Sequence, residues 1–545
     1  MIFRSMIFIL NHSLNPFAYP ICEIASMHGT APTPPKEFEV KLELAPANLP
    51  ALKKISPLRT LKVTPRRTAE VSVYFDTDRH KLRKRGLVLR VRRVGNRYVQ
   101  TIKAAGNLGP LERDEWEAEI ASEEPDLSLA KGTALEPLLN NKFRRRLRPL
   151  FETRVQRTVY PVSDKAHAIA LTVDRGKIVT GTRSLPLCEI ELELKRGNTA
   201  GLFDLARELT QALPARLALK SKSERGYDII DGKQDLPVKA ATIDLPARTN
   251  MRDAFRMIGL ACLKQVIDNE PALIKGDPEG VHQMRVGLRR LRAGISLFAD
   301  LLRGSQTEVI KAELKWLTDE LGPAREFEVL VTRVVAPMKK QRRRWGGMPS
   351  LSREIAERRD GALTRARDAV QSARFRALIL NVAAWLQTGQ WANPQEDVIR
   401  DLGNLLIGVF AVEQLARRWR KVRKKGKALA ELDARSRHKL RIQAKKLRYA
   451  AEFFASLFTS RRAVTRRKQF LDALGRLQDG LGDLNDIAVH EKRIAAIGVR
   501  RQRSSRNRAF AAGVLTGRED ARIEATTTAA TEAYADLAKV KPFWR

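Results

Sequence analysis

Two stretches of this chain are one stretch written twice. Residues 281–298 read VHQMRVGLRRLRAGISLF, and residues 437–454 read RHKLRIQAKKLRYAAEFF. His282, Arg285, Arg289 and Arg292 match His438, Arg441, Lys445 and Arg448, each pair 156 residues apart. A spacing of i, i+3, i+7, i+10 brings four side chains onto one face of a helix. The apolar residues fall elsewhere: Val286, Leu291 and Leu297 in one copy, Ile442, Leu447 and Phe453 in the other. The repeat predicts two helices, each with an apolar flank and a cationic stripe. Side by side they would line a surface for a long polyanion.

The charge supports such a partner. The chain holds 101 Lys+Arg against 62 Asp+Glu, a net charge of +39, far from the balance of most soluble enzymes. The excess is uneven: 42 basic against 29 acidic in residues 1–250, and 59 against 33 in residues 251–545. Nucleic acid is compatible with charge alone. It is disfavoured by 6% aromatic residues and no recognised nucleic-acid motif. At 545 residues, two or more domains are expected. Cys22, Cys188 and Cys262 are odd in number and far apart, which suggests neither a disulfide framework nor a zinc site. They fit a reducing compartment, so a cytoplasmic location is expected. No apolar run approaches the roughly 18–20 residues that span a bilayer, so no membrane partner is expected. Residues 1–36 read as a disordered extension, with Met27 a candidate start.

From Glu37 the pattern has period two, with Glu37, Glu39, Lys41 and Glu43 alternating with Phe38, Val40, Leu42 and Leu44. On a strand every charge faces one way. The alternation returns at residues 89–93, 98–103, 113–120 and 188–195, with helix-like pieces at 49–58 and 199–213. A mostly antiparallel sheet follows. One such strand alone is a solvated face over a buried one. Five strands mixing cations and carboxylates suggest a closed sheet with a polar lumen, while Phe38, Val40, Leu42, Ile190, Leu192 and Leu194 pack outward under helices. Carboxylates suit hard ions such as Mg²⁺ or Mn²⁺, and Arg and Lys suit phosphate oxygens. There is no GxxxxGK[ST] motif, which disfavours a P-loop route.

EFEVK at residues 37–41 resembles the ExExK signature that opens the CYTH domain, the triphosphate tunnel metalloenzymes. YFDT (74–77), LRVR (89–92), TIK (101–103), RDEWE (113–117), EIELELK (189–195) and SKSERGY (221–227) follow in family order. The resemblance covers residues 37–232. It implies an α+β domain built on an eight-stranded closed antiparallel tunnel that hydrolyses or cyclises a triphosphate with a divalent metal. Carried over by position, Glu37, Glu39 and Lys41 form the catalytic group. Glu37, Glu39, Glu115, Glu117, Glu189, Glu191 and Glu193 hold metal. Lys41, Arg90, Arg92, Lys103, Arg113 and Lys222 grip the phosphates, with Arg154 and Arg157 of FETRVQR as further ligands.

Residues 233–250 carry two prolines and read as a linker. Beyond them helical periodicity takes over. The paired stripes resemble the signature helices of the CHAD domain, and the resemblance covers residues 251–545. LGPAREFEVL (321–330) and LGDLNDIAV (481–489) resemble that family's LGxxRDxDV element, with Glu326 and Glu328 where aspartates are usual and Asn485 and Asp486 in the second copy. The resemblance implies an all-helical domain with a pseudo-twofold repeat that binds inorganic polyphosphate. The residues carried over are His282, Arg285, Arg289, Arg290, Arg292, His438, Arg441, Lys445, Lys446, Arg448 and Tyr449. Arg290 and Lys446 point off the main face, and residues 417–427 (RRWRKVRKKGK) form a separate basic patch.

The expected function is metal-dependent hydrolysis of inorganic triphosphate in the tunnel, with polyphosphate bound by the helical half. The alternatives are a catalytically idle polyphosphate-binding protein, or a tunnel acting on an organic triphosphate as an adenylate cyclase or thiamine triphosphatase.

Overall fold

The period-two segments become strands. A computed structural model describes residues 36–55, 58, 64–106, 109–339, 347–498 and 505–545. Cys22, the N-terminal extension before residue 36 and the start at Met27 lie outside the described residues. The chain divides into two compact units, residues 1–232 and 233–545.

In the first unit the strands are β1 (Lys36–Glu43), β2 (Arg66–Thr77), β3 (Leu87–Val94), β4 (Arg97–Ala105), β5 (Glu112–Ile120), β6 (Leu147–Ser163), β7 (Ala168–Thr180), β8 (Arg183–Arg196) and the short β9 (Arg216–Ala218). Eight of them close an antiparallel ring in the order β1-β5-β4-β3-β2-β6-β7-β8, with β8 returning to β1; β9 adds a second pairing to β1. Closure leaves no bare edge in that ring. The register sets Glu39 opposite Glu193, Lys41 opposite Glu191 and Glu43 opposite Glu189. Residues directly opposite share a face. The alternate residues Val40, Leu42, Ile190 and Leu192 are fully buried on the outside of the ring. There helix α1 (Thr199–Ala212) covers them, with Phe203 set edge-on to Phe38 at 6.3 Å. Each buried aliphatic side chain contributes about 1.5–3 kcal/mol.

Helix α2 (Lys222–Asp231) starts at a capping box, Ser221 with Glu224, and stops at Gly232 in the left-handed region. The box fixes where the first turn begins and therefore where Lys222 projects. Gly226 lets this helix lie against the Phe151 ring, which a Cβ there would meet at 2.2 Å.

Counting the described helices of ten residues or more, the second unit holds α3 (Met251–Asp268), α4 (Pro278–Leu297), α5 (Ser305–Leu330), α6 (Met348–Gln371), α7 (Ala373–Thr388), α8 (Ile407–Gly426), α9 (Ala434–Phe453), α10 (Arg461–Gly498), α11 (Ser505–Asp520) and α12 (Ile523–Lys539). The starts of α3, α4 and α5 precede those of α8, α9 and α10 by the same offset as the two stripes. Where the repeats meet, Met251 N–H donates to Leu405 O and Ile407 N–H donates to Thr249 O, both at 2.9 Å. Each bond maps onto the other under the offset, as a twofold axis requires. Phe298 and Phe454, also equivalent, meet edge to face at 6.4 Å.

Residues 233–250, expected as a linker, are strapped onto the helical unit instead. Ile243 and Leu245 are buried, Asn269 exchanges hydrogen bonds with the Val238 backbone at 2.8 Å each way, and Leu245 N–H donates to Ser456 Oγ. The apolar pair outweighs the prolines that suggested a free segment. No described helix is long and apolar enough to cross a membrane.

Candidate functional site

The inner face of the barrel alternates cations with carboxylates. Lys41 Nζ lies 2.8 Å from Glu39 and 2.9 Å from Glu191. Lys103 Nζ lies 2.6 Å from Glu37 and 3.1 Å from Glu115. Arg90 reaches Glu117 and Glu115 at 3.8 and 3.9 Å, and Arg92 reaches Glu117 at 3.1 Å. Arg113 stands opposite Glu37 on the same face. Arg157 forks onto Asp174 at 2.8 and 2.6 Å and touches Glu191 at 3.1 Å. Burial works against the charge of Lys41, Lys103, Arg157 and Lys222, yet their carboxylate neighbours raise all four pKa values on balance.

Lys222 enters from the first turn of α2. Its Nζ lies 2.7 Å from Asp174, 2.5 Å from Glu189 and 2.7 Å from Glu191. Those three carboxylates are buried and close enough together to hold a metal ion. An ammonium already sits among them, so a divalent ion there would have to displace it. Burial disfavours the charge on Glu191, but Lys222, Lys41 and Arg157 hold its pKa well below the usual range.

The other end of β1 and β8 is different. Glu39 faces Glu193 across the register, with Glu37 next on the same face. Glu193 is pushed up to about 7 by burial and by Glu37 and Glu39, against the pull of Lys195 at 2.5 Å. Glu39 is also raised, by burial and then by Glu191. Carboxylates act on one another here although each has a lysine at hand, and this donor set fits a hard divalent cation. The seven carboxylates expected as one metal set therefore divide. All seven have a cation within ion-pair reach, but burial and neighbouring carboxylates raise Glu39 and Glu193, whereas cations hold Glu117 and Glu191 low.

Arg154 is not part of this group. It lies three residues from Arg157 in β6, so the pleat turns it outward, where it is exposed and pairs with Glu152 at 2.6 Å. Four other residues join the inner network. Asp174 and Glu70 are buried beside Arg157, the latter at 3.6 Å, and Arg225 bonds Glu189 and Glu43, the latter at 2.8 Å. Arg225 lies in the quoted SKSERGY and recurs one helical turn after Lys222, a usable signal. Asp174 is a lone acid in an apolar run.

In the helical unit the two stripes face each other. Burial and the charges of Arg441, Arg289 and Arg285 bring Lys445 down to about 7, against Asp486. Arg285 is lowered to about 10 by burial and Arg289, and Arg441 is lowered by burial and Arg289 against Asp486. Arg285 also donates to Thr318 O at 2.9 Å. Arg285, Arg289, Arg441 and Lys445 are thus one cluster of like charge. Burial and Arg325 take His282 to about 4, so it is neutral at pH 7. His438 pairs with Asn485 at 2.7 Å, the position equivalent to Arg325. Tyr449 acts on Arg441, Arg448 pairs with Glu452 at 2.9 Å, and Arg292 is exposed further along α4. Glu326, the longer acid of the first LGxxRDxDV-like element, bonds Arg493 at 2.6 Å and acts on Arg285.

Two expected ligands lie elsewhere. Arg290 is buried, bonds Gln265 at 3.0 Å and stacks over Phe453, because its position turns it off the stripe into the helix interface. Lys446, its equivalent, meets Ser296 Oγ at 3.3 Å, away from the central cluster.

The sequence model of the CYTH domain matches residues 35–227, and that of the CHAD domain matches residues 258–495. The chain thus carries a CYTH domain in its first unit and a CHAD domain in its second. An inorganic triphosphatase of Haemophilus influenzae is 31% identical over 169 residues, which are 30% of this chain and 47% of that protein. The chain thus spans about half the length of this curated relative. The CHAD domain from the plant Ricinus communis is a similar solved structure, 27% identical over 56% of this chain and 97% of that one, with a TM-score of 0.48. An adenylyl cyclase candidate from Hippeastrum with a dominant triphosphatase activity is 18% identical over 36% of this chain and 96% of that one, with a TM-score of 0.27.

Proposed function

We propose that the CYTH unit hydrolyses inorganic triphosphate with a divalent metal, Mg²⁺ or Mn²⁺, and that the CHAD unit binds inorganic polyphosphate. The observation that carries the first half is the division of the lumen. Cations sit at ion-pair distance from carboxylates along the barrel, and at Glu37, Glu39 and Glu193 the carboxylates also crowd one another. The similarity to an inorganic triphosphatase supports the same reading. A binder of anions gains nothing from such a carboxylate cluster, which weighs against an idle barrel.

Glu37, Glu39 and Glu193 would hold the metal, with Glu115 and Glu117 beside the phosphate cations. When bound, the ion neutralises charge on phosphate oxygens and lowers the pKa of water. Lys41, Lys103, Arg90 and Arg157 exchange their carboxylate partners for phosphate oxygens, and Arg92, Arg113 and Lys222 extend the grip. Positioning and charge neutralisation do most of the work in phosphoryl transfer. Before substrate arrives, Lys222 and Arg157 keep Glu191 ionised, so that Lys41 is held charged and in place.

The carrying observation for the second half is the four-cation cluster of Arg285, Arg289, Arg441 and Lys445, whose mutual repulsion a polyanion relieves. The test of the whole reading is phosphate release from inorganic triphosphate, ATP and thiamine triphosphate, each with Mg²⁺, Mn²⁺ or chelator. Preference for the inorganic substrate and silence in chelator are expected. Faster turnover of an organic triphosphate would reassign the substrate, and no turnover of any would leave a binding protein.

A further inference from the structure

The internal symmetry allows one half of the CHAD unit to be read against the other, and at one place they differ in charge. In the first repeat the interface of α3 and α4 holds Cys262, Gln265 and Arg290, with Glu452 of α9 acting on Cys262. Arg290 is satisfied there by Gln265 at 3.0 Å. The residues 156 further on, or 156 back in the case of Glu452, are Arg418, Lys421, Lys446 and Ser296. One cation among neutral partners has become three, and the carboxylate has become a hydroxyl.

At the second place two of the cations converge on Ser296. Lys446 Nζ reaches Ser296 Oγ at 3.3 Å, and Arg418 reaches the Ser296 carbonyl only at 3.5 Å. Arg418 is 9% exposed, and its buried Nε–H has no acceptor among the described residues. Lys446 is lowered by burial, Arg418 and Lys421, and Arg418 is lowered to about 10 by burial and Arg417; no carboxylate offsets either. Arg418 is buried, Lys446 half-buried and Lys421 exposed beside them, and a buried cation without counter-charge is costly unless something anionic arrives. Ser296 also lies four residues beyond Arg292, on the face that carries Arg285, Arg289 and Arg292.

We infer that Arg418, Lys421, Lys446 and Ser296 form a second phosphoryl-binding site, present in only one repeat, that prolongs the polyphosphate track beyond Arg292. It rests on the reading of the stripe as a polyphosphate surface. The track is then longer on one side of the twofold axis than on the other, and long chains gain contacts that short ones cannot reach.

The experiment uses the full-length protein, a graded series of inorganic polyphosphates, and the variant Ser296→Glu, which restores the carboxylate of the other repeat. Ser296 is exposed, so the helix tolerates the change. The double variant Lys421→Gln/Lys446→Gln is the second probe. In the wild type, affinity should keep rising with chain length. In both variants the rise should stop early, with about tenfold or more lost on the longest chains, the worth of one or two charge-assisted hydrogen bonds. Short chains should bind all three proteins equally. Equal affinity of wild type and both variants across the series overturns the second site and leaves the stripe standing. Failure of the wild type to bind any chain overturns both. A titration with orthophosphate is the remaining arm. Saturable binding that Ser296→Glu abolishes, with long-chain affinity unchanged, assigns the site to free phosphate and overturns the extended track.

Discussion

Lys41, Lys103, Arg157 and Lys222 in the barrel each have a carboxylate within ion-pair distance, whereas Arg285, Arg289, Arg441 and Lys445 in the helical unit chiefly have one another. The consequence is visible in opposite pKa directions. Despite burial, carboxylates raise the barrel cations; burial and like charge lower Arg285, Arg441 and Lys445. A compensated lumen holds its geometry before any ligand arrives, at the cost that a ligand must take over existing pairs. An uncompensated stripe stores repulsion that any polyanion releases. The first arrangement suits chemistry on one small anion in one pose, and the second suits grip on a polymer in many.

The contrast breaks most sharply at two glutamates. Glu191→Gln should reduce triphosphate turnover by about three orders of magnitude and cost roughly 2–3 kcal/mol in urea unfolding, because Lys41, Lys222 and Arg157 each lose one of their carboxylate partners. Glu39→Gln should lose similar activity but keep or raise the unfolding midpoint, since its carboxylate is already disfavoured by burial and by Glu191. Equal destabilisation by the two would erase the distinction between a carboxylate its neighbours disfavour and one that cations hold ionised.

On the other side of the comparison, Arg285→Glu with Arg441→Glu should weaken polyphosphate binding by about a hundredfold or more and leave triphosphate turnover intact. Binding by the wild type should fall steeply with salt, as counterion release requires. Thermal unfolding should not suffer, because the new carboxylates face Arg289 and Lys445. Loss of hydrolysis in this variant would count against separate roles for the two units.

A smaller effect tests the repulsion itself. Lys445 has a pKa of about 7, so above neutrality it is largely uncharged. A bound anion favours the charged form and raises the pKa, so binding takes up a proton. Affinity should therefore fall about tenfold or more as pH rises from 7 to 9, and Lys445→Arg should flatten that profile. A flat wild-type profile would remove the stored repulsion. The smallest effect is expected at Arg154, where Arg154→Ala should change kcat/KM less than twofold, because the side chain lies on the outer face.

Arg154 also shows what was legible in the sequence. The period-two pattern was enough to place Glu37, Glu39, Lys41 and the 189–193 acids on one inner face. The same parity, applied to FETRVQR, separates Arg154 from Arg157, since residues three apart in a strand face opposite ways. Asp174 was beyond reach: it is one acid inside AIALTVD, and only the register across β6 and β7 sets it opposite Arg157. Which carboxylates are neutralised was also hidden, because Lys222 arrives from a helix whose direction no strand pattern specifies. In the helical unit the 3.6-residue period separated the stripe from Arg290 and Lys446. It could not show that Gln265 answers one and that Arg418 and Lys421 crowd the other. The strap at 233–250 was misread because Ile243 and Leu245, only two apolar residues, carry its docking.

The paired bonds between residues 249–251 and 405–407 also bear on how the chain is made. They join positions 154 and 158 apart, so neither can form until residue 405 has been synthesised. At about 5–20 residues per second that is a wait of roughly 8–30 s. Throughout it, Phe298 lacks both Phe410 and Phe454, its partners across the axis. Contacts this distant in sequence are slow to close. A nascent chain halted before residue 405 thus presents an aromatic, strongly cationic half-domain, the kind of intermediate that chaperones or anionic polymers capture before it can fold.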